Sequence, residues 1–285
     1  MTPIIERARE LFARHDVVLA DIWGVVHDGQ HAYDGAGDAF ARFRAGGGTV
    51  VLLSNAPMPS RWVARVLDEK GVRRDSWDAI VSSGDIALGH IAERGYSRVL
   101  HIGPPRDLPL FAAMQAQRCL FDDAQAIVCT GLEDDRNETA ETYRPLLERA
   151  LARRLPLVCA NPDLMVDVAG ELLACAGVIA QHYEAIGGDV YWAGKPYAAA
   201  YEMAMATIAR LCGGPVPRER VLAIGDAVRT DIAGAGAFGI PALFIGQGIH
   251  RDEALRGGRL DPACLARLLA DQPVQPVAAM VGVAW

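Results

Sequence analysis

The sequence predicts an α/β protein in which parallel β-sheets carry helices on their faces. Short runs rich in valine, leucine and isoleucine alternate with segments of helical periodicity, as expected when crossover helices join parallel strands. The chain has 285 residues, which is long for one compact core. The alternation also starts afresh in the middle third of the chain. We therefore expect a core domain and a second α/β domain inserted into it.

The first elements along the chain are two strands and a helix. The apolar runs 17–21 and 49–54 predict the strands. The segment 60–71 predicts the helix, because it opens on a serine that suits the N-cap, keeps its apolar residues on one face and closes on a glycine. A further strand is predicted over 79–82.

The middle third contains a second set of strands and helices with its own hydrophobic pattern. Its strands are predicted over 99–102, 126–129 and 157–160, and a long helix over 139–154. Because this set interrupts the first pattern, we assign residues 84–188 to an inserted α/β cap.

The first pattern resumes after the insertion. Strands are predicted over 190–193, 221–225 and 241–245, and helices over 197–211 and 230–237. Residues 1–83 and 189–285 therefore form the predicted core domain. The apolar tail, 277–285, is too short to span a membrane and is expected to pack on the body of the protein.

Composition excludes several classes of protein. The net charge of −7 and the pI near 5.5 argue against a nucleic-acid partner. No apolar stretch approaches the roughly 20 residues of a membrane span, and the charged amphipathic N-terminus is not a secretory signal. The six cysteines form no C-x-x-C pair, so we expect small buried hydrophobes in a reducing cytoplasm.

Polar residues follow the predicted core strands at the points where these strands end. Asp21 ends the first run, Ser54 and Asn55 end the second, Lys195 follows the third and Asp226 the fourth. In open parallel sheets the ligand site lies beyond the carboxyl ends of the strands. These side chains, far apart in the chain, are therefore expected at one edge of the sheet.

The residue types at this edge indicate phosphoryl transfer. An aspartate such as Asp21 can attack phosphorus and form an aspartyl-phosphate. A hard cation is then needed between the two anions, and Mg²⁺ held by Asp21 and Asp226 fits this need. Asp231, five residues after Asp226, is expected to orient a metal-bound water or Lys195.

Three further residues are expected to contact the phosphoryl group. Ser54, Asn55 and Lys195 carry donors for its oxygens. Lys195 would also screen Asp21 from the incoming phosphate. The predicted substrate is a small phosphorylated metabolite, with no nucleic acid or membrane involved.

These motifs resemble the haloacid-dehalogenase-like superfamily of aspartate-nucleophile phosphohydrolases. The motifs are Asp21-Ile-Trp-Gly-Val-Val, Ser54-Asn55, Gly194-Lys195-Pro196 and Gly225-Asp226-Ala-Val-Arg-Thr230-Asp231. The α/β insertion, which contains Asn161-Pro162-Asp163, is similar to that of class IIA, the NagD-like and p-nitrophenyl-phosphatase-like enzymes.

The resemblance implies a Rossmann-like doubly wound core, a cap that selects the substrate, and bound Mg²⁺. It also implies that the backbone carbonyl of Trp23 reaches the metal, alongside Asp21, Asp226 and Asp231. Trp23 and Gly24 would line the substrate pocket together with Ser54, Asn55 and Lys195. The cap is a common dimer surface in such folds, which leaves a homodimer open.

Trp23 departs from the family pattern, which has an acid–base aspartate at this position. Three interpretations stay open. His27 could replace the missing acid, since an unperturbed imidazole titrates near neutral pH. The substrate could have a leaving group that needs no acid, such as an acyl or aryl phosphate. Alternatively, the protein is catalytically impaired and binds or senses a phosphorylated metabolite. The sequence favours a phosphatase whose rate is lowered by about 10²–10⁴-fold because the acid–base group is missing.

Overall fold

The computed structural model describes residues 2–168 and 170–285. In chain order, the strands are β1 Val17–Ala20, β2 Thr49–Ser54, β3 Ala79–Ser82, β4 Arg98–Ile102, β5 Gln117–Arg118, β6 Ala126–Cys129, β7 Leu157–Cys159, β8 Met165–Val168, β9 Glu171–Ala174, β10 Val190–Trp192, β11 Val221–Gly225, β12 Ala242–Ile245, β13 Leu255–Arg256, β14 Arg259–Leu260 and β15 Ala278–Met280. The α-helices are α1 Arg9–Phe12, α2 Asp34–Ala45, α3 Ser60–Glu69, α4 Ser83–Glu93, α5 Pro109–Ala112, α6 Arg144–Ala152, α7 Ala176–Ala185, α8 Ala198–Cys212, α9 Ala233–Phe238, α10 Arg251–Ala254 and α11 Pro262–Leu268.

The first sheet has the strand order β15-β12-β11-β1-β2-β3. β1 pairs in parallel with β2 on one side and with β11 on the other, and β12 pairs in parallel with β11 and β15. All four residues of β1 and all five of β11 are buried. Such continuous apolar runs are expected of parallel strands that are covered on both faces.

Helix α2 and the chain termini cover part of this sheet. Buried Ala36, Ala39, Phe40 and Phe43 recur along α2 at helical spacing. The Phe12 ring lies 5.2 Å from that of Phe43 and 6.1 Å from that of Trp285, measured between centroids. The final residues therefore pack on the body, as predicted, and β15 extends the sheet.

The second sheet has the order β10-β7-β6-β4-β5, and all four of its pairings are parallel. It has its own hydrophobic core, in which Ile127, Leu157, Ile179 and Tyr183 are fully buried. The strand predicted over 190–193 forms as β10. It pairs with β7 in this second sheet, not in the first sheet as predicted.

The chain divides into two compact units. Unit 1 comprises Met1–Ser54, Ala64–Val81 and Tyr201–Trp285, and unit 2 comprises Asn55–Val63 and Ser82–Ala200. The predicted fold class is confirmed, since parallel sheets with helices form both units. The predicted boundary between a core and a cap over 84–188 stays a prediction.

Several elements differ from their predicted form. The helix predicted over 139–154 opens as a 3₁₀ turn at Ala140–Tyr143 and continues as α6, with a proline in its first turn. The helix predicted over 230–237 opens as a π turn at Val228–Ile232. The antiparallel hairpin of β8 and β9 was not predicted. Among the residues described, no helix is both long and apolar enough to cross a bilayer.

Most of the cysteines behave as the sequence predicts. Cys129, Cys159, Cys175 and Cys264 are buried, and burial raises the pKa of the Cys129 thiol to about 12. Cys119 is half-buried and Cys212 is exposed, so the prediction of buried thiols is wrong for Cys212.

Candidate active site

The candidate site lies where the strand order of the first sheet reverses. From β1 the chain proceeds to β2 and β3 on one side, whereas β11, β12 and β15 lie on the other. The carboxyl ends of β1 and β11 thus flank the topological switch point, which is where ligands bind in open α/β sheets. Asp21 directly follows β1, and its N–H donates to the carbonyl of Ile224 on β11 (2.8 Å). This bond fixes Asp21 beside the end of β11.

Three predicted site residues converge at this point. Asp21, Asp226 and Asp231 each offer one carboxylate oxygen, and these oxygens lie within 4.8 Å of one another. Asp226 and Asp231 are 4% and 5% exposed, and Asp21 is half-buried. Because buried carboxylates this close repel one another, the arrangement favours a cation among them.

The position of Asp226 depends on two close backbone approaches. Its Oδ2 accepts the N–H of Ile249 (2.7 Å). A Cβ atom on Gly248 would lie 1.9 Å from this oxygen, and one on Gly24 would lie 2.2 Å from it. Gly24 also has φ +84, a conformation that favours glycine. The sequence predicts Gly24 in the substrate pocket; the structure shows it against the carboxylate of Asp226.

Asp231 is held by the π turn that follows β11. Its Oδ2 accepts the N–H of Ala227 (3.1 Å), and its own N–H donates to the carbonyl of Ala227 (2.9 Å). The Tyr201 hydroxyl donates to the carbonyl of Asp231 at 3.4 Å. A Cβ on Gly225 would lie 2.1 Å from the Asp231 Cβ. The side chain is therefore positioned by backbone and glycine contacts on several sides.

The three carboxylates fit a hard divalent cation. Mg²⁺ prefers oxygen ligands and is commonly bound through a few carboxylates. Asp21, Asp226 and Asp231 supply such oxygens from three points of one sheet edge. They are thus the residues that would hold Mg²⁺, and the backbone carbonyl of Trp23 stays a predicted ligand.

Trp23 is part of a tight loop that also contains His27. The Gly24 N–H donates to the His27 carbonyl (2.8 Å), and the Trp23 and His27 rings lie edge to face with centroids 5.2 Å apart. A Cβ on Gly29 would lie 2.4 Å from Cζ2 of Trp23. The Lys70 ammonium donates to the Gly29 carbonyl. The indole is therefore packed against the loop rather than loosely placed.

His27 is poorly suited to the acid–base role that the sequence suggests for it. It is 2% exposed, and its Nδ1 accepts the N–H of Gly29 (2.9 Å). Burial, together with the charge of Lys70, lowers the pKa of His27 to about 4. The imidazole is therefore neutral at neutral pH, and its contacts favour a role in shaping the loop.

Asn55 and Lys195 belong to unit 2, where they are joined through the amide of Asn55. The Asn55 Nδ2 donates to the Lys195 carbonyl (3.0 Å) and to Asp163 Oδ1 (2.9 Å). Its Oδ1 accepts the Lys195 N–H (2.8 Å) and the Ser83 hydroxyl (3.2 Å). These four bonds fill the amide's hydrogen-bonding capacity. The Asn55 side chain therefore positions Lys195, and contact of Asn55 with a phosphate stays a prediction.

The Asn55 amide can approach Lys195 because residue 194 is a glycine and has no side chain in the way. A Cβ on Gly194 would lie 2.5 Å from Asn55 Oδ1 and 2.1 Å from Ser83 Oγ. Asn55 and Lys195 are each 4% exposed. Ser54 ends β2 in unit 1 and is 9% exposed. Contact of Ser54 and Lys195 with a phosphate stays a prediction.

Sequence reasoning missed some residues that shape the site. Gly248 and Ile249 hold Asp226, and Gly29 holds Trp23. Gly248 lies in a short glycine-containing turn, Gly246-Gln-Gly248, directly after the buried strand β12. A glycine turn at the end of a further core strand was the signal that could have identified it.

The fold and this cluster define an α/β protein with a candidate divalent-cation site at the switch point of its parallel sheet. The family model described as haloacid dehalogenase-like hydrolase matches residues 18–117, and a HAD-hydrolase-like model matches residues 192–272. A crystal structure of a haloacid dehalogenase-like hydrolase from Brucella suis 1330 is 38% identical, with a TM-score of 0.86. The match covers 98% of this chain and 100% of that one. The chain therefore belongs to the haloacid dehalogenase-like hydrolase family.

Other relatives are more distant. A D-glycerol 3-phosphate phosphatase of Mycobacterium tuberculosis is 28% identical over 249 residues, which cover 85% of this chain and 66% of that protein, just under two thirds. A crystal structure of a glycerol phosphate phosphatase of the same organism, in complex with magnesium, is 28% identical, with a TM-score of 0.62; the match covers 87% of this chain and 71% of that one. NagD from E. coli K-12 shares the fold, with a TM-score of 0.68 at 17% identity and coverage of 95% and 97%.

Proposed function

We propose that this protein is a Mg²⁺-dependent phosphatase that hydrolyses a small phosphate monoester through an aspartyl-phosphate on Asp21. The observation that carries the proposal is the convergence of Asp21, Asp226 and Asp231 at the switch point. Two relatives support it, because they are named as glycerol phosphate phosphatases and one was solved with magnesium.

In the proposed reaction, the Asp21 carboxylate attacks phosphorus and the bond from phosphorus to the ester oxygen breaks. Water then attacks the phosphorus of the aspartyl-phosphate, which restores the carboxylate and releases inorganic phosphate. Bound Mg²⁺ would neutralise charge between the carboxylates and the phosphoryl oxygens. Asp226 and Asp231 keep their orientation through the Ile249 and Ala227 amides, so little reorganisation is needed during the reaction.

The test is turnover of an aryl phosphate by an Asp21→Asn variant. An amide is not a nucleophile of this kind, so we expect kcat to fall on the order of 10⁴-fold or more. Acid quenching of the wild-type enzyme during turnover should trap a phosphorylated form, seen by intact-protein mass spectrometry, that the variant lacks.

A matched control is Asp16→Asn. Asp16 lies at the opposite end of β1, where it is exposed and paired with Arg220 (2.5 Å). This variant should keep wild-type kcat. Equal activity of Asp21→Asn and wild type would remove the proposed mechanism.

A second candidate function is binding of a phosphorylated metabolite without turnover. It is favoured by Trp23, because an indole can neither give nor take a proton in catalysis. Calorimetry with inorganic phosphate and Mg²⁺ separates the two functions. Tight binding without turnover of any phosphate ester would support the binding function.

A further inference from the structure

A phosphate ester needs a proton on its leaving oxygen only when that oxygen leaves as a strong base. The groups around the nucleophile therefore restrict the substrates on which the proposed phosphatase can act. Trp23 is the nearest residue along the chain that is partly exposed, as Asp21 is. Ile22 between them is 3% exposed, whereas Asp21 and Trp23 are both partly exposed.

The indole of Trp23 cannot act as a proton donor to the leaving oxygen. Its N–H is a hydrogen-bond donor that does not ionise in catalysis. The ring is also fixed on two sides. It lies so close to Gly29 that a Cβ on this glycine would be 2.4 Å from Cζ2, and the His27 ring packs edge to face against it. Trp23 therefore forms a rigid apolar wall two residues from the nucleophile.

The other side chains near Asp21 in unit 1 are committed to other contacts. His27 is 2% exposed, its Nδ1 accepts the Gly29 N–H, and its ring packs against that of Trp23. Asp226 and Asp231 converge with Asp21 and accept backbone N–H groups. Among the described residues of this unit, none of these side chains is placed to protonate a departing alkoxide.

We propose that the substrate is an activated phosphate, an acyl or aryl phosphate whose leaving group departs as a stable anion without receiving a proton. This inference rests on the proposed function. The Asp21 carboxylate forms the new bond to phosphorus, and the electron pair of the broken P–O bond leaves with the carboxylate or phenolate. Water then cleaves the aspartyl-phosphate, and its surplus proton passes to solvent. The glycerol phosphate in the names of two relatives would be a poor substrate, because its alkoxide is a strong base.

The experiment measures kcat/KM for a series of aryl phosphates that differ in the pKa of the leaving phenol, together with acetyl phosphate and glycerol 3-phosphate. kcat/KM is chosen because it reports phosphoryl transfer even when hydrolysis of the intermediate limits kcat. Without an acid, kcat/KM should fall by on the order of tenfold for each unit of leaving-group pKa. Comparison of acetyl phosphate with the best aryl phosphate distinguishes the acyl from the aryl class.

Two substitutions make the test specific to Trp23. Trp23→Asp should raise kcat/KM for glycerol 3-phosphate by about 10²–10⁴-fold and should change it little for the most acidic phenols. Trp23→Phe keeps an aromatic ring at this position and adds no proton donor. In this variant kcat/KM should still fall steeply as the pKa of the leaving group rises. His27→Gln should also leave this dependence unchanged.

The outcomes separate this inference from the proposed function. A wild-type enzyme that turns over all esters at similar kcat/KM would overturn the inference and leave the phosphatase in place. The same holds if His27→Gln converts a flat dependence into a steep one, because His27 would then be the acid. Absence of turnover on the entire series with Mg²⁺ would instead overturn the proposed function.

Discussion

Both parallel sheets reverse their strand order, but different titratable groups stand at the two points of reversal. In the first sheet the order reverses between β1 and β11, and three carboxylates converge there. In the second sheet the order reverses between β4 and β6. Its edge contains one buried carboxyl, Asp107, and one imidazole, His101, whose Nε2 lies 2.9 Å from the Thr130 hydroxyl oxygen.

Asp107 and His101 at the second edge are both shifted towards their neutral forms. Burial raises the pKa of Asp107 to about 6, although a bond to Thr130 and the charge of Arg106 oppose the shift. Burial and the charge of Arg118 lower the pKa of His101 to about 4. A reversal of strand order thus provides a place for a ligand, but the donors that follow the strands decide whether that place attracts a cation.

The largest expected difference between the two edges is in Mg²⁺ binding. Asp226→Asn removes a charged ligand from the first edge and should weaken Mg²⁺ activation by at least about 100-fold. Titration of activity with Mg²⁺, together with the rise in Tm expected if Mg²⁺ binds the folded wild type, measures the effect. Asp107→Asn, the matched change at the second edge, should leave both responses unchanged. The contrast fails if both variants lose Mg²⁺ activation equally.

The next effect is a pH dependence of stability that belongs to the second edge. The raised pKa of Asp107 means that the folded protein binds this proton more tightly than the unfolded chain. The contribution of this proton to the free energy of unfolding is fully present below about pH 4 and is lost as the pH rises towards 6.

Asp107→Asn should therefore become more stable relative to the wild type, by about 2–3 kcal/mol, as the pH rises from 4 to 6. Urea unfolding of both proteins across this range measures the difference. Because the pKa of His101 is lowered, its contribution to the free energy of unfolding rises with pH in both proteins. The variant is therefore compared with the wild type at each pH. A difference that does not change with pH would show that Asp107 stays ionised.

The smallest effect tests the glycine that makes room for Asp226. Gly248→Ala places a Cβ 1.9 Å from the present position of Asp226 Oδ2, so the carboxylate must move. Mg²⁺ activation should therefore weaken by about tenfold. Gly89→Ala in α4 is the control, because a Cβ there meets nothing within 4 Å. It should leave the Mg²⁺ response unchanged and stabilise the protein by up to about 1 kcal/mol. A normal Mg²⁺ response in Gly248→Ala would show that Asp226 tolerates the shift.

Two members of the acidic cluster could be predicted from sequence because each follows a strand directly. Asp21 and Asp226 each come straight after a continuous apolar run, and the edge rule for parallel sheets brings such residues together. Asp231 was predicted to act beside them from its position five residues after Asp226. These predictions needed the ends of strands but no knowledge of side-chain packing.

Other features depend on contacts that no local pattern contains. Strand β10 was recognised as a strand, but the composition of a strand does not tell which sheet it joins. The Asn55 amide bonds to the backbone of Lys195, 140 residues away, and an asparagine at a strand end gives no sign of this partner. The burial of His27 likewise follows from the loop that closes on Gly29, so only its type, not its environment, was accessible from the sequence.

The order of the strands also has a consequence for the growing polypeptide. The central strand β1 must wait for β11, since Val17 pairs with Val221, whereas the second sheet is assembled from strands that all lie between Arg98 and Trp192. During synthesis from the N-terminus, the second sheet can be complete while β1 still lacks a neighbour on one side. We therefore expect a ribosome-bound intermediate in which unit 2 has formed its sheet and the strand that precedes Asp21 still has an open edge.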